Sequence, residues 1–125
     1  MTLIAIRSEK LSPPVGPFSQ AVRSGDLIFF SGQVGLDASG KLVEGGVTAQ
    51  AEQVFANLTA VLDAAGKSFT DVVRVGVFLT DMADFAALNA VYARYFTEPY
   101  PARTTVAVAA LPLGAAVEID MVVKG

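Results

Sequence analysis

The chain contains no cysteine, no histidine and no tryptophan among its 125 residues. Without cysteine it can form no disulfide, no thiolate nucleophile and no thiolate metal site. Without histidine it lacks the commonest metal ligand and the usual base near neutral pH. Any chemistry must therefore use carboxylates, arginines, hydroxyls, amides and the backbone, and we expect no metal and no cofactor.

Charge is sparse as well. Charged residues make up 17% of the chain, and nine basic against twelve acidic residues give a net charge of -3 without a run of cations. Because nucleic-acid affinity comes largely from clustered Lys and Arg, we expect no nucleic-acid partner. No stretch approaches the roughly 20 apolar residues of a membrane span, and residues 1–10 lack a signal-peptide core. We expect no membrane partner and, by default, a cytoplasmic location.

Apolar residues are abundant, at 53% of the chain. A domain of this size cannot hide so much apolar surface alone, so the surplus forms either an exposed patch or a subunit interface. We favour a homo-oligomer. The length suits one domain spanning residues 1–125, and no linker or repeat interrupts it.

Hydrophobic periodicity predicts helices at residues 48–65 and 84–96, with Thr48 as an N-cap and Gly66 as a C-terminal stop. Strands are predicted at residues 72–80, 103–111 and 117–123, with a hairpin at 21–33 and a possible short strand at 2–7. The order ββ-α-β-α-ββ predicts an α/β (α+β) fold. One mixed β-sheet would carry two helices on one face and leave the other face free to meet a partner.

Some polar side chains interrupt apolar patterns. Asn89 lies one turn from Phe85 on the packed side of its helix, where it would either serve a site or hold a neighbouring loop. Ser31 and Gln33 share one side of their strand with Phe29 by the two-residue period, although a hydroxyl at a strand end is often only a turn cap. A buried polar group without a partner costs about 1–3 kcal/mol, so each of these needs one.

Arg103 opens a strand whose same-face residues include Thr105 and Ala107. A guanidinium in that position needs an anion, and its planar fork matches a carboxylate in bidentate fashion. The alternative is a solvated strand end or a structural salt bridge.

Two acids, Glu118 and Asp120, alternate with apolar residues and so project from one face of the last predicted strand. On a solvated face they would have no special role. If the face lines a partly apolar cleft, one carboxylate can have a raised pKa and act as an acid or base.

Five segments, taken together in order and spacing, resemble the RidA (YjgF, L-PSP) family of trimeric enamine/imine deaminases. They are GPFSQAV at residues 16–22, SGQV at 31–34, LNAVYARYF at 88–96, PARTTVAVAALP at 101–112 and VEIDMVV at 117–123. The resemblance implies a chorismate-mutase-like homotrimer whose sheets pack inward, whose helices face outward and whose clefts lie between subunits.

The resemblance also implies roles for individual residues. Arg103 would hold the substrate carboxylate and Glu118 would orient or activate water, which makes these two the expected catalytic pair. The remaining expected substrate-binding residues are Phe18, Ser31, Gly32, Asn89, Thr105 and Ala107. Two of them depart from the family pattern, because Phe18 stands where tyrosine is common and Thr105 where cysteine is common.

The implied activity is that of a 2-iminobutanoate/2-iminopropanoate deaminase, a hydrolase acting on enamines and imines such as 2-aminoacrylate. The product would be a 2-oxo acid and ammonia, formed without a cofactor. A second hypothesis is a non-catalytic protein that binds a small carboxylate metabolite, which the two departures favour. A third is endoribonuclease activity or translation inhibition, which the acidic balance and the missing histidine disfavour.

Overall fold

The computed structural model describes residues 2–125, which form six strands and two α-helices. In chain order these are β1 (Ile4–Ile6), β2 (Ala21–Ser24), β3 (Leu27–Val34), α1 (Gly46–Ala65), β4 (Val72–Leu79), α2 (Phe85–Tyr92), β5 (Ala102–Ala107) and β6 (Val117–Lys124). The strands form one sheet in the order β1-β2-β3-β6-β4-β5, and only the β4–β5 pair is parallel among the described strands. The predicted mixed sheet is confirmed, with β6 in its centre and β5 at one edge.

Both helices cover the same face of the sheet. Strand β6 shows the alternation that decides this, because Val117, Ile119, Met121 and Val123 are buried in the core while the intervening residues are only half-buried. From α1, Phe55 contacts Tyr92 of α2 with ring centroids 6.0 Å apart. Each fully buried large apolar side chain contributes about 1.5–3 kcal/mol, so this face supplies most of the stabilisation.

The opposite face carries no helix and retains exposed or half-exposed apolar side chains. Leu27 and Phe29 of β3 and Val106 of β5 are exposed there, and Val122 of β6 is half-buried. We refer to this side as the open face. Across residues 2–125 no helix is long and apolar enough to cross a membrane.

Helix ends differ from the prediction in two places. Helix α1 begins at Gly46 after a left-handed Gly45 that makes no side-chain cap bond, so Thr48 lies inside the first turn and is not the N-cap. Its C-terminal end is as predicted, because Gly66 adopts φ 70° and its N–H bonds to the carbonyls of Leu62 and Asp63. Helix α2 ends at Tyr92 and continues as turns, whereas Phe96 was predicted as its end.

Strand lengths differ as well. Strand β5 ends at Ala107 and not at Leu111. Among the described residues it pairs only with β4, and β4 ends at Leu79, the residue paired with Ala107. The possible strand at residues 2–7 is present as β1, so three strands precede α1 where the predicted order has two. The hairpin turns at Gly25 and Asp26, since Ser24 pairs with Leu27.

Candidate active site

Glu118 and Asp120 share the open face of β6, as the alternation predicts, but their carboxylates lean in opposite directions. The Glu118 side chain lies over Gly32 of β3, where a Cβ atom would stand 2.5 Å from Oε2 and 2.7 Å from Cδ. The Asp120 carboxylate lies against Gly76 of β4, which likewise leaves no room for a Cβ atom. A Cβ atom at either glycine would therefore require the carboxylate above it to move.

A β-bulge in β3 shapes the surroundings of Glu118. The pairing of Phe30 with Met121 is followed by that of Gln33 with Ile119, so β3 holds one more residue than β6 across this interval. The bulge breaks the two-residue period. Gln33 is consequently opposite the fully buried Ile119, and the expectation that it shares a face with Phe29 is wrong.

A cavity of about 160 Å³ adjoins Glu118. Glu118, Gly32 and Phe18 line it together with residues 11–15, which precede β2, and Leu113, which precedes β6. Burial raises the pKa of the Glu118 carboxyl, and the negative charge of Asp120 adds to the increase. The sequence predicts that a carboxylate of this strand can act as an acid or base if it lies beside a partly apolar cavity, and Glu118 meets that condition.

Ser31 lies next to Gly32 and holds the chain that carries Phe18. Its Oγ donates to the carbonyl of Ser19 at 2.6 Å, and its N–H donates to the carbonyl of Gln20 at 3.0 Å. The hydroxyl proton is thus engaged within the chain, although the oxygen can still accept. These bonds connect β3 to residues 16–20 and place Ser31 in the same group of residues as Glu118.

Arg103 belongs to a second group of side chains on β5 and α2. Its Nη1 donates to Oδ1 of Asn89 at 2.8 Å, and its guanidinium carbon lies 4.7 Å from the ring centroid of Tyr92 and 5.6 Å from that of Phe85. The ion pair found among residues 2–125 joins Arg94 to Glu52, so no carboxylate of the described chain neutralises Arg103. The guanidinium is oriented by stacking and one hydrogen bond, and its other donors remain available for an anion.

Thr105 and Ala107 follow Arg103 on the same side of β5 by the strand period. Thr105 Oγ1 is buried and has no hydrogen-bond partner within residues 2–125. Ala107 is exposed at the end of the strand. This side of β5 therefore holds a hydroxyl without a hydrogen-bond partner and a guanidinium without an acidic partner in the described chain.

The two groups lie on opposite faces of the sheet. Arg103 pairs with Val75, which is buried beneath the helices, whereas Glu118 pairs with Phe78, which alternates with the buried Val77 and Leu79. Strand β4 also separates them laterally, which adds about 10 Å at the usual strand spacing. A small carboxylic acid cannot contact Arg103 and Glu118 of the same chain.

Asp120 and Arg74 form a separate polar group on the open face. Burial raises the pKa of Asp120, while the Gly76 N–H and the Arg74 charge oppose the increase. Arg74 donates to Thr104 Oγ1 at 3.3 and 3.4 Å. Over residues 2–125, no group of three or more acidic side chains is arranged to hold a metal ion.

Some residues of the site were not found from the sequence. Tyr92 lies within the helix predicted at residues 84–96, but the sequence analysis did not identify its stacking against Arg103. Its spacing of three residues from Asn89 could have suggested it. Leu113 and Gly76 gave no comparable signal, because their positions depend on strands distant in the sequence.

The described chain is thus a small α+β protein with one mixed sheet and two polar half-sites, one on each face. It belongs to the Endoribonuclease L-PSP family, whose family model matches residues 9–124. The resemblance to RidA proteins is confirmed, since the crystal structure of RidA from the Antarctic bacterium Psychrobacter sp. PAMC 21119 has a TM-score of 0.93 and 48% identity, covering 98% of this chain and 99% of that chain.

Two further relatives are similar over nearly the whole length. Protein DfrA of Myxococcus xanthus is 53% identical over 121 residues, which covers 94% of this chain and 92% of that protein. A Capra hircus protein named 2-iminobutanoate/2-iminopropanoate deaminase is 48% identical over 118 residues, covering 94% of this chain and 86% of that protein.

Proposed function

We propose that this chain hydrolyses 2-imino acids, and the enamines that tautomerise to them, to 2-oxo acids and ammonia. The observation that carries the proposal is the pairing of two incomplete half-sites. Glu118 is a partly desolvated carboxylate beside an apolar cavity, and Arg103 is an oriented guanidinium without an acidic partner in the described chain. The name of the Capra hircus relative supports the same reaction.

The reaction requires few chemical groups. Arg103 would hold the substrate carboxylate through its free donors, and Glu118 would accept a proton from a water molecule as the water oxygen bonds to the imine carbon. The imine nitrogen takes up a proton from the solvent as this bond forms, which gives a carbinolamine. Glu118 then returns its proton to the same nitrogen, the carbon–nitrogen bond breaks, and the hydroxyl group loses its proton to the solvent as ammonia leaves and the carbonyl forms. Imines hydrolyse unaided in water, so positioning and one base can give useful acceleration without a cofactor.

Both groups can serve one substrate only if two copies of the chain contribute to each site. The open face, with exposed Phe29 and Val106, supports self-association because monomers seldom leave such apolar surface uncovered. We propose a homotrimer in which each cleft takes Glu118 from one copy and Arg103 from the next. A cytoplasmic location belongs to the same proposal.

A metabolite-binding protein without catalysis is the second candidate. Phe18 supports it, because phenylalanine can form a wall of the cavity but cannot donate the hydrogen bond of a tyrosine. The family description names an endoribonuclease, but nine scattered cations in a chain of net charge -3 offer little attraction for a phosphate backbone.

The test is 2-oxo acid release from an imino acid generated in situ by an amino acid oxidase, with the uncatalysed rate subtracted. The proposal expects a rate proportional to the concentration of this protein. Binding of the 2-oxo acid without any rate increase would establish the metabolite-binding candidate instead.

A further inference from the structure

Helix α1 carries two buried amide side chains, Gln50 and Asn57, which lie two turns apart on one face. They are only 7% and 6% exposed, and the other buried residues of this helix are all apolar. A buried amide destabilises a fold unless its polar atoms find partners. The partners of these two amides show which parts of the chain they hold.

Asn57 binds the chain where β3 ends. Its Nδ2 donates to the carbonyl of Leu36 at 3.0 Å and to that of Val34 at 3.4 Å. Val34 is the last residue of β3 and pairs with Glu118 of β6. Although Asn57 borders the cavity beside Glu118, both of its amide protons are thus engaged by the backbone.

Gln50 binds the chain just before β6 begins. Its Oε1 accepts the N–H of Ala116 at 2.8 Å, and Ala116 lies two residues before Glu118. The backbone of Gln50 also lies against Gly35, where a Cβ atom would stand 2.9 Å from the Gln50 carbonyl oxygen. Helix α1 therefore contacts the main chain at the end of β3 and again at the start of β6.

These contacts fall where the sheet needs support. The pair of Val34 and Glu118 is the last in the described ladder between β3 and β6, whereas β4 pairs with β6 for one residue more. Terminal pairs of a ladder open more easily than internal ones. The Glu118 carboxylate lies over Gly32 of β3, so movement of this end of β3 would displace the carboxylate. A catalytic group has to be held to within about 0.5 Å.

We propose that Gln50 and Asn57 are positioning residues, which anchor the start of β6 and the end of β3 and so fix the Glu118 carboxylate beside its cavity. Both act through the backbone and neither touches the substrate. The inference rests on the proposed function, because it is the role of Glu118 as a base that requires a fixed position. If the two amides only stabilised the fold, their loss would lower the Tm without a specific effect on Glu118.

Exchange of amide for acid separates the two residues, because Gln50 accepts a hydrogen bond and Asn57 donates two. The carboxyl group of Gln50→Glu can still accept the Ala116 N–H, whereas Asn57→Asp keeps at most one proton to donate. We expect Gln50→Glu to keep kcat within about threefold of wild type and Asn57→Asp to lower it about tenfold to a hundredfold. KM should change less than about threefold in both, because Arg103 would hold the substrate carboxylate.

Gln50→Met and Asn57→Leu remove the same bonds without adding an acid, and both should lower kcat in the same way. They decide the question if an acid variant fails to fold. Val61→Ala is the matched control, because Val61 is a fully buried apolar residue of the same helix. It should lower the Tm and leave kcat unchanged. Circular dichroism and light scattering check that each variant has the wild-type fold and mass.

NMR titration of the Glu118 side-chain carboxyl carbon tests its position without relying on catalysis. Burial raises the pKa of this carboxyl, so displacement toward solvent in Gln50→Met and Asn57→Leu should lower the pKa. Asp120, whose charge also raises the pKa, is present in every variant, and Val61→Ala should leave the value unchanged.

The outcomes distinguish this inference from the proposed function. A wild-type protein without catalysis rejects the deaminase activity, and the pKa of Glu118 alone then decides whether the two amides position it. If the wild type is active, both the lower kcat and the lower pKa are required, and the absence of either overturns the inference. Equal losses of kcat in Val61→Ala and in the amide variants, at equal Tm, would show that the amides are purely structural.

Discussion

At the scale of single residues, the environment of Glu118 decides what its carboxylate can do. Gly32 lets the carboxylate lie over β3, and the cavity beside it removes part of its hydration. Desolvation favours the neutral acid, and the resulting rise in pKa makes the anion a stronger base. Asp120 lies on the same face but leans toward β4, and it influences Glu118 through its charge.

Glu118→Gln should lower kcat by about 10²–10⁴ with little change in KM, because the amide keeps the shape of the side chain but cannot accept a proton. Steady-state hydrolysis of an in situ generated imino acid measures this. Arg74→Lys, a change on the open face away from the cavity, is the control for general damage. Full kcat in folded Glu118→Gln protein would show that the carboxylate has no part in the chemical step.

Asp120→Asn should move the acid limb of the kcat/KM profile to lower pH. A base must be deprotonated, so activity falls as pH decreases through the pKa of Glu118, and the Asp120 charge holds that pKa higher. Removing the charge lowers the pKa, even though Arg74 already offsets part of it. A limb that stays in place or moves to higher pH contradicts the assignment.

Arg103→Lys should raise KM about tenfold to hundredfold, because the change keeps the charge but loses the bidentate fork. The stacking on Tyr92 and the bond to Asn89 show that the guanidinium is held in one orientation, which an ammonium would not reproduce. Kinetics over a range of substrate concentrations separate KM from kcat. An unchanged KM would place the carboxylate clamp elsewhere.

At the scale of elements, local patterns predicted which segments form helices and strands, but they did not predict every end. Gly66 ends α1 through its own conformational preference, so the sequence alone was sufficient there. Strand β5 ends where β4 ends, and the bulge in β3 exists only relative to β6. Such features belong to pairs of strands, and no single segment carries a signal for them.

Gly66→Ala tests the element that the sequence predicted best. Alanine at φ 70° should destabilise the protein by about 1 kcal/mol, because an added Cβ disfavours the left-handed conformation, although no atom beyond the neighbouring residues of the chain lies within 4 Å of it. Thermal unfolding should show a lower Tm. Gly66→Asn should lose less, since asparagine accepts this backbone, and equal losses for the two variants would point to a cause other than conformation.

At the scale of the whole molecule, the two groups that the proposed reaction needs, Arg103 and Glu118, lie on opposite faces of the sheet. The strand period could predict that Glu118 and Asp120 share a face, because it acts within one strand. The relation between Arg103 and Glu118 depends instead on the register of β4 against both of their strands. Only the resemblance to a trimeric family had suggested clefts between subunits.

The final prediction concerns mixed trimers. Light scattering should first give three times the 13.0 kDa chain mass for Glu118→Gln, for Arg103→Ala and for their mixture after co-refolding. If each cleft takes Glu118 from one copy and Arg103 from the next, every mixed trimer contains a single cleft with both native side chains. Random mixing in equal amounts makes about three quarters of the trimers mixed. Because each mixed trimer has one intact cleft out of three, about one quarter of all clefts are intact.

The co-refolded mixture should therefore recover about one quarter of the wild-type kcat/KM, whereas each variant alone should have a very low kcat/KM. Mixing without refolding is the control, because activity that appears only after co-refolding requires chains of the two variants in one trimer. If one copy supplied both residues, every cleft would carry one of the two substitutions and no activity would return. We expect activity to be recovered, because Arg103 and Glu118 lie on opposite faces of the sheet in a single chain.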